Sequence, residues 1–420
     1  MHFLILSESG DSLSVAIRLK AEGNSVAMWI RDDKCQEVGL GLIDQVSDLR
    51  GIPERTIIIA DTVGFGPFCT MLKQAGYKVV GGALIADRLE NDRAFSRKLM
   101  QKAGLRVPRN WEFDSFEEAA KFAEKHSNER FAIKPTGNLS GTFPSYVSEG
   151  AEDLIEELNK LEEASRGEPS FELQEFVEGV AISLEGWFNG KEFIRPLNHT
   201  LERKHLANDE LGPSMGCAGN VVWVKSDECD CLDSYTKVLA EGGYVGPLDL
   251  NSIVTEEGEI CGLEFTPRFG YDAAPTLFTE LFQGDLGQFF HDLAYGSIRE
   301  MNLRSGYAFG IRITVLPWPY EEYKAEAGLS LQDVDLAHFA PYEVMLSQDG
   351  KYVTSGGHGI VGVACGYGKT SPEAGAAALQ VASQLRLRRK FYRTDLCPLF
   401  YGDMDKLGLV KSLQKNGSVK

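Results

Sequence analysis

The sequence predicts an α/β protein of several domains. Three observations carry this expectation. Short apolar runs alternate with amphipathic segments over the first 90 residues, and a compact strand-and-helix module follows from Val107 to about Val180. The chain also has 420 residues, which at roughly 100 to 200 residues per domain leaves room for several cores.

The first apolar runs are Phe3 to Leu6, Val26 to Ile30, Ile57 to Ala60 and Val79-Val80, with helical patterns at Ser12 to Glu22 and Phe68 to Ala75 between them. Strands separated by helices of that length form βαβ units, so residues 1–90 are expected to hold a parallel, Rossmann-like sheet. Residues 90–104 place apolar side chains at helical spacing and end at Gly104, suited to a helix C-terminus. The next module reads as strand, helix (Phe116 to Lys125), strand (Arg130 to Lys134), Gly-containing loop, strand, helix (Glu152 to Glu163) and strand (Ser170 to Phe176). Further strands are expected at Ala181 to Phe188, Val221 to Val224, Pro247 to Val254 and Ile260 to Thr266. From Tyr307 the pattern is α+β, with strands near Gly310 to Leu316 and Ile360 to Cys365, a helix at Pro372 to Leu387, and a polar tail from Lys411 expected to fray. The expected domains are 1–90, 91–300 with a smaller lobe at about 107–180, and 301–420.

Composition narrows the class. Hydrophobic residues at 43% and charged residues at 25% exclude a wholly disordered or collagenous chain. The net charge of −18 repels phosphate backbones, so a nucleic-acid partner is not expected, although a local basic cleft for a nucleotide is allowed. The eight cysteines lack paired C-x-x-C spacing, and Cys229-Asp230-Cys231 reads as an exposed loop, so reduced thiols are expected. His2 to Ser7 reads as a first strand, and no apolar stretch approaches the roughly 20 residues that span a bilayer. A soluble, cytoplasmic protein with no membrane partner is expected.

Several separated segments carry chemistry. Phe131-Ala-Ile-Lys134, followed by a loop containing Gly137 and Gly141, is either a phosphate clamp or an edge lysine before a hairpin. Glu172-Leu-Gln174-Glu175-Phe176-Val177-Glu178-Gly179 is an acidic-apolar strand turning a corner, either plain or offering backbone groups and a carboxylate to a nucleoside. Gly246 to Gly270 reads as a hairpin turning at Glu257-Gly258. Its period of two places Asp249 and Asn251 on one face, with Glu264 and Thr266 sharing a face of the partner strand. Oxygen ligands on paired strands suit Mg²⁺, and Arg268 follows where it could meet a transferring phosphoryl group. Leu263-Glu264-Phe265 is expected to be buried. His199 and His205 fall in a stretch expected as a charged loop, where solvated histidines are commoner than metal ligands.

Taken in order, Leu89-Glu90 with its following basic helix, the Lys134 loop, Glu175 to Gly179, Gly212-Pro-Ser-Met-Gly216-Cys-Ala-Gly219 and Glu264-Phe-Thr-Pro-Arg268-Phe-Gly270 resemble an ATP-grasp ligase, within that superfamily most like the phosphoribosylamine-glycine ligases of purine biosynthesis. Val315-Leu-Pro-Trp-Pro-Tyr320, Gly357 to Ala364 and Phe391 to Leu396 extend the likeness over nearly the whole chain. The resemblance implies a Rossmann-like N-terminal domain, a two-lobed ATP-grasp domain and a C-terminal α+β domain, using ATP and Mg²⁺ to form an amide through an acyl phosphate. Small-molecule partners and a monomer or homodimer are expectations that go with it. On matching positions it implies that Arg93 and Lys134 meet the phosphates and that Gln174, Glu175, Phe176 and Val177 border the adenine. It implies Glu264 as metal ligand with Thr266, Asp249 and Asn251 beside it, and Arg268 as stabiliser of the transferred phosphoryl. Gly212, Ser214, Gly216, Gly219 and Lys204 would serve the amino acid and acyl phosphate.

The departures bear on substrate. The family's Gly-Gly-Arg-Glu-His turn is replaced by Ser9-Gly10-Asp11-Ser12-Leu13, a loop lysine near Thr142 and a ribose-binding acid at Ala181 are missing, and Thr266 stands where the family has a metal-binding Asn.

Overall fold

Leu4-Ile5-Leu6 and Ile57-Ile58-Ile59 are apolar at consecutive positions, a pattern that only strands covered on both faces bury. In the computed structural model, which describes residues 1–135, 146–164, 170–224, 231–320 and 322–409, they are adjacent. Leu4 lies between Ala27 and Ile58 in a five-stranded parallel sheet. Its order is Asp44–Gln45, Ser25–Ile30, His2–Ser7, Ile57–Ala60, Lys78–Val80. The helices Leu13–Ala21 and Gly66–Gln74 supply crossovers, burying Leu13, Ala16 and Leu19 from one and Cys69 and Leu72 from the other. The chain winds outward in both directions from His2–Ser7. The carboxyl ends of that strand and of Ile57–Ala60 therefore flank the crevice where open α/β sheets take ligands, and Asp11 and Asp61 sit in the loops there.

Compactness divides the chain into one unit of Met1–Leu99, Ala181–Ser252 and Glu264–Lys420, and a second of Met100–Val180 and Ile253–Leu263. The first unit holds most of an eight-stranded sheet, ordered Ile260–Thr266, Gly246–Val254, Val180–Phe188, Asn198–His205, Ser214–Val224, Tyr307–Thr314, Ile360–Gly368, Phe339–Pro341. Two segments expected as loops are strand here. Glu202 to His205 ends the strand Asn198–His205, and residues 214–219 open its antiparallel partner, with Thr200 opposite Val222. The charges misled because they alternate: Arg203 reaches Asp403 on the helix Leu396–Lys406, while Glu202 and Lys204 take the other face.

This unit is locked by a buried ion pair. Arg312 is 3% exposed and Asp272 is fully buried; Arg312 Nε donates to Asp272 Oδ2 at 2.9 Å, Nη2 to Oδ1 at 2.8 Å, and Nη1 to the Met215 carbonyl at 3.1 Å. Beside it Trp187 packs edge-on against Phe269 and Phe289, at 5.3 and 5.4 Å between ring centroids.

The second unit is an antiparallel sheet ordered Asn110–Phe113, Phe171–Glu175, Phe131–Pro135, Tyr146–Val147, covered by the helices Phe116–Lys125 and Ala151–Ala164. Phe116, Phe131, Leu154, Leu158, Phe171 and Leu173 form its core. The loop with Gly137, Gly141 and Thr142, the Cys229-Asp230 pair and the tail from Lys411 lie outside the described residues.

Removing one partner of a buried pair strands the other charge. Arg312→Met or Asp272→Asn is therefore expected to cost about 3–5 kcal/mol in urea unfolding, and the double variant Arg312→Met/Asp272→Leu to recover most of it.

Candidate active site

The hairpin forms as expected, with Thr255 N donating to Glu259 O at 3.0 Å and Gly258 turning at φ +81°. Alternation along Gly246–Val254 and Ile260–Thr266 gathers oxygen atoms on one side. Asn251 Nδ2 donates to Thr266 Oγ1 at 3.0 Å and, longer, to Asp249 Oδ2 at 3.4 Å, and Asn251 Oδ1 accepts from Ser183 Oγ at 2.9 Å. Asn251 and Thr266 are thus occupied with each other. Asp249 Oδ1 is buried with no hydrogen-bond partner. Leu263-Glu264-Phe265 is not buried as a block: Phe265 is 1% exposed and packs on Tyr235, whereas Glu264 stands exposed on the alternate face.

Around this face the unit collects carboxylates. Burial, reinforced by Glu185 and Glu202, pushes Asp249 well above the usual carboxylate range, and burial beside Glu202 pushes Glu185 up to about 7. Glu202 is likewise raised, chiefly by burial, with Lys204 opposing. Desolvation works against the Lys204 ammonium, but Glu202, Glu264 and Asp249 outweigh it and raise its pKa. An assembly this acidic favours cations, whether side chain or metal.

Arg268 leaves the hairpin into the same region. Its Nε donates to Glu90 Oε1 at 2.9 Å and its guanidinium lies 4.3 Å from the Tyr271 ring centroid, while Phe269 N donates to the Asp61 carbonyl at 3.2 Å. Desolvation opposes its charge, but Tyr271, Glu90 and Glu202 hold it protonated. Arg268 and Tyr271 line a small cavity with Asp11, Asp61 and Thr62. Burial and the neighbouring Asp11 push Asp61 up to about 7, with Ser7 and Ser12 opposing, and neither of its carboxylate oxygens makes a hydrogen bond of good geometry.

Of the remaining expected positions, Arg93 opens the helix Arg93–Lys102 and is half-buried. Gly212, Ser214 and Gly216 are exposed, with Gly212 at φ +80° and Gly216 at φ +78°. Gly219 instead serves packing: it is buried in the strand Ser214–Val224, where a Cβ would come within 2.4 Å of Leu396. In the second unit Lys134 is the last residue but one of its strand, half-buried opposite Glu172. The Glu175 carboxylate accepts from Arg109 N at 3.0 Å and Arg109 Nε at 3.1 Å, so it pins the strand corner and is not left for a nucleoside. Gln174 and Phe176 are half-buried and Val177 is buried; Ala181, in the first unit, is exposed.

Residues 91–272 match the phosphoribosylglycinamide synthetase ATP-grasp (A) domain. That stretch is similar to an ATP-grasp domain. Among its relatives, phosphoribosylamine-glycine ligase of Streptococcus pneumoniae is 26% identical over 341 residues, 77% of this chain and 79% of that protein. The Thermotoga maritima phosphoribosylamine-glycine ligase is 26% identical over 359 residues, 83% of this chain and 86% of that protein. A crystal structure of the T. maritima ligase superposes with a TM-score of 0.71 at 21% identity, covering 94% of this chain and all of that one. The antiparallel sheets and the oxygen-bearing hairpin are thus the ATP-grasp fold's own elements.

Sequence reading missed Glu185, Glu202, Ser183 and Asp61 as members of this site. Glu185 lies in an otherwise apolar strand, where a lone acid between Leu184 and Gly186 was itself the available signal. Because Glu185 holds its proton to about pH 7 when folded against an ordinary 4.5, its contribution to stability is complete below 4.5 and lost as pH rises through about 7. Glu185→Gln is expected to make the fall in Tm across that window shallower than in the wild type, by scanning calorimetry without added metal; an unchanged slope contradicts the assignment.

Proposed function

We propose that this ATP-grasp protein is an ATP-dependent carboxylate-amine ligase similar to the phosphoribosylamine-glycine ligases. The carrying observation is the convergence, within one unit, of Arg268, Lys204, Asp249 and Glu264 on the face of one hairpin. A carboxylate resists direct attack by an amine because its oxygen is a poor leaving group. ATP therefore donates its γ-phosphoryl to form an acyl phosphate, and the amine then displaces phosphate. Such chemistry needs charge and position more than covalent participation by the protein.

Arg268 is held charged and aimed by Glu90 and Tyr271, which suits it to the transferring phosphoryl group. Within the first unit Arg93 serves the phosphates; within the second, Lys134 does so and Gln174, Phe176 and Val177 border the adenine, the Glu175 carboxylate being held by Arg109. Exposed Gly212, Ser214 and Gly216 with Lys204 take the carboxylate substrate. Magnesium fits the donors present: Asp249 Oδ1 lacks a partner and Glu264 is exposed, so two carboxylates are available, with Asn251 and Thr266 orienting the face. Bound there, the ion would neutralise phosphate oxygens.

A second observation bears on the amine. Asp11 and Asp61, both raised by burial, line the crevice at the ends of the central parallel strands, so Arg268 is the one cation among those lining residues and neither acid supplies charge to a phosphate. A primary amine without a phosphate suits this crevice better than phosphoribosylamine. The test is ADP release with ATP, magnesium and a matrix of small amino acids against primary amines. Turnover is expected with a non-phosphorylated amine and poor turnover with phosphoribosylamine; efficient formation of glycinamide ribonucleotide would restore the phosphorylated substrate. No ADP release with any pair would remove the ligase reading.

Lys134→Ala and Arg268→Ala should each lower kcat/KM by on the order of 100-fold or more while the variants stay folded, since each deletes a phosphate-directed charge. Glu264→Gln should raise the magnesium requirement more than Asp249→Asn or Asn251→Ala, measured as the metal concentration giving half-maximal rate. A metal effect confined to Asp249→Asn would reassign the ligand.

A further inference from the structure

A second cluster of ligating side chains lies in the first unit, apart from the hairpin. Asp32, Cys35 and His358 place one ligand atom each within 4.8 Å of one another. Asp32 caps a short turn just after the strand Ser25–Ile30, its Oδ1 accepting from Lys34 N at 2.8 Å, and that turn ends at Cys35. His358 comes from the segment preceding the strand Ile360–Gly368, and its Nε2 meets Asp32 Oδ2 at 2.9 Å.

The site is built rather than incidental. Cys35 is 1% and His358 8% exposed, and His358 Nδ1 is buried with no hydrogen-bond partner. Glu343, 4% exposed, fixes the histidine's backbone by accepting from His358 N at 2.9 Å, Gly359 N at 2.6 Å and Ile360 N at 3.1 Å. Gly357 lets the segment approach, since a Cβ there would come within 2.9 Å of Cys35 Sγ.

We propose that Asp32, Cys35 and His358 form a zinc-class metal site, with solvent or a ligand completing the coordination and Glu343 positioning the histidine segment. One thiolate, one imidazole and one carboxylate are the mixed donors that zinc prefers, and they differ in kind from the all-oxygen hairpin that suits magnesium. Without metal, burial and the carboxylates of Glu343, Asp32 and Asp11 keep the Cys35 thiol protonated. Binding would replace the Asp32–His358 hydrogen bond by two metal bonds, the imidazole keeping its one proton on the ring nitrogen that does not bind, and would form a sulfur–metal bond with the thiol proton released to solvent.

The test uses the full chain, stripped with chelator and titrated with Co²⁺ as a spectroscopic probe for zinc. A thiolate-to-cobalt charge-transfer band is expected, saturating at a single ion per chain and abolished by added Zn²⁺. Cys35→Ser should lose the band and His358→Ala should weaken binding at least tenfold, whereas Cys397→Ser should keep both. Cobalt held by the oxygen-bearing hairpin gives no thiolate band, so the two sites are distinguished. Should Cys35→Ser fold poorly, zinc retained by the purified wild type through gel filtration, and lost in folded His358→Ala, decides the matter. A wild type without the band, or a band surviving Cys35→Ser, overturns the proposal.

Discussion

The large unit depends on one ion pair withdrawn from water, Arg312 with Asp272. Arg312 stands on the strand Tyr307–Thr314, Asp272 follows the Phe269-Gly270-Tyr271 segment that leaves the hairpin, and the Met215 carbonyl belongs to the strand Ser214–Val224. A guanidinium buried this fully needs every donor directed at an acceptor, so these three segments cannot shift independently. Tyr342 adds a hydroxyl bond to the Tyr271 carbonyl. The direction in which Arg268 and Tyr271 face follows from that anchor.

What is held in place is a cluster of acids that burial makes hard to ionise. Burial raises Asp249, with Glu185 and Glu202 adding to it, raises Glu185 beside Glu202, and raises Glu202 beside Asp272; Asp11 and Asp61 repeat the theme at the parallel sheet. Such groups are costly in an empty site and become favourable when cations arrive, which links stability to ligand binding in the same residues. Lys204 and Arg268 supply part of that cationic environment. In the proposed function a metal at the hairpin would supply more, and an amine arriving as an ammonium at the crevice would give up its proton before attacking as a neutral nucleophile.

The elements legible in the sequence were those whose burial follows a simple period. The parallel strands appeared as unbroken apolar runs, the hairpin as alternation about Gly258, and the helix Ala151–Ala164 as a repeating apolar face. The strand Asn198–His205 was not legible because its end carries Glu202, Arg203, Lys204 and His205, whose partners such as Asp403 come from about 200 residues away. Glycines were ambiguous for a related reason: Gly216 is exposed in the strand at φ +78°, a conformation that favours glycine, whereas Gly219, three positions on, admits Leu396. The oxygen-bearing face of the hairpin could be read from its own residues; the acids surrounding it could not, because Glu185 and Glu202 stand on other strands and Asp61 in a loop of the parallel sheet.

The central claim is that a carboxylate is activated by phosphoryl transfer and then captured by an amine. It is tested most directly by supplying the amino-acid substrate with heavy oxygen in its carboxylate and analysing the products by mass spectrometry. The account predicts that an oxygen from the carboxylate appears in inorganic phosphate, since the acyl phosphate breaks between the acyl carbon and that oxygen. Label found in AMP, or phosphate free of label while amide forms, would contradict it.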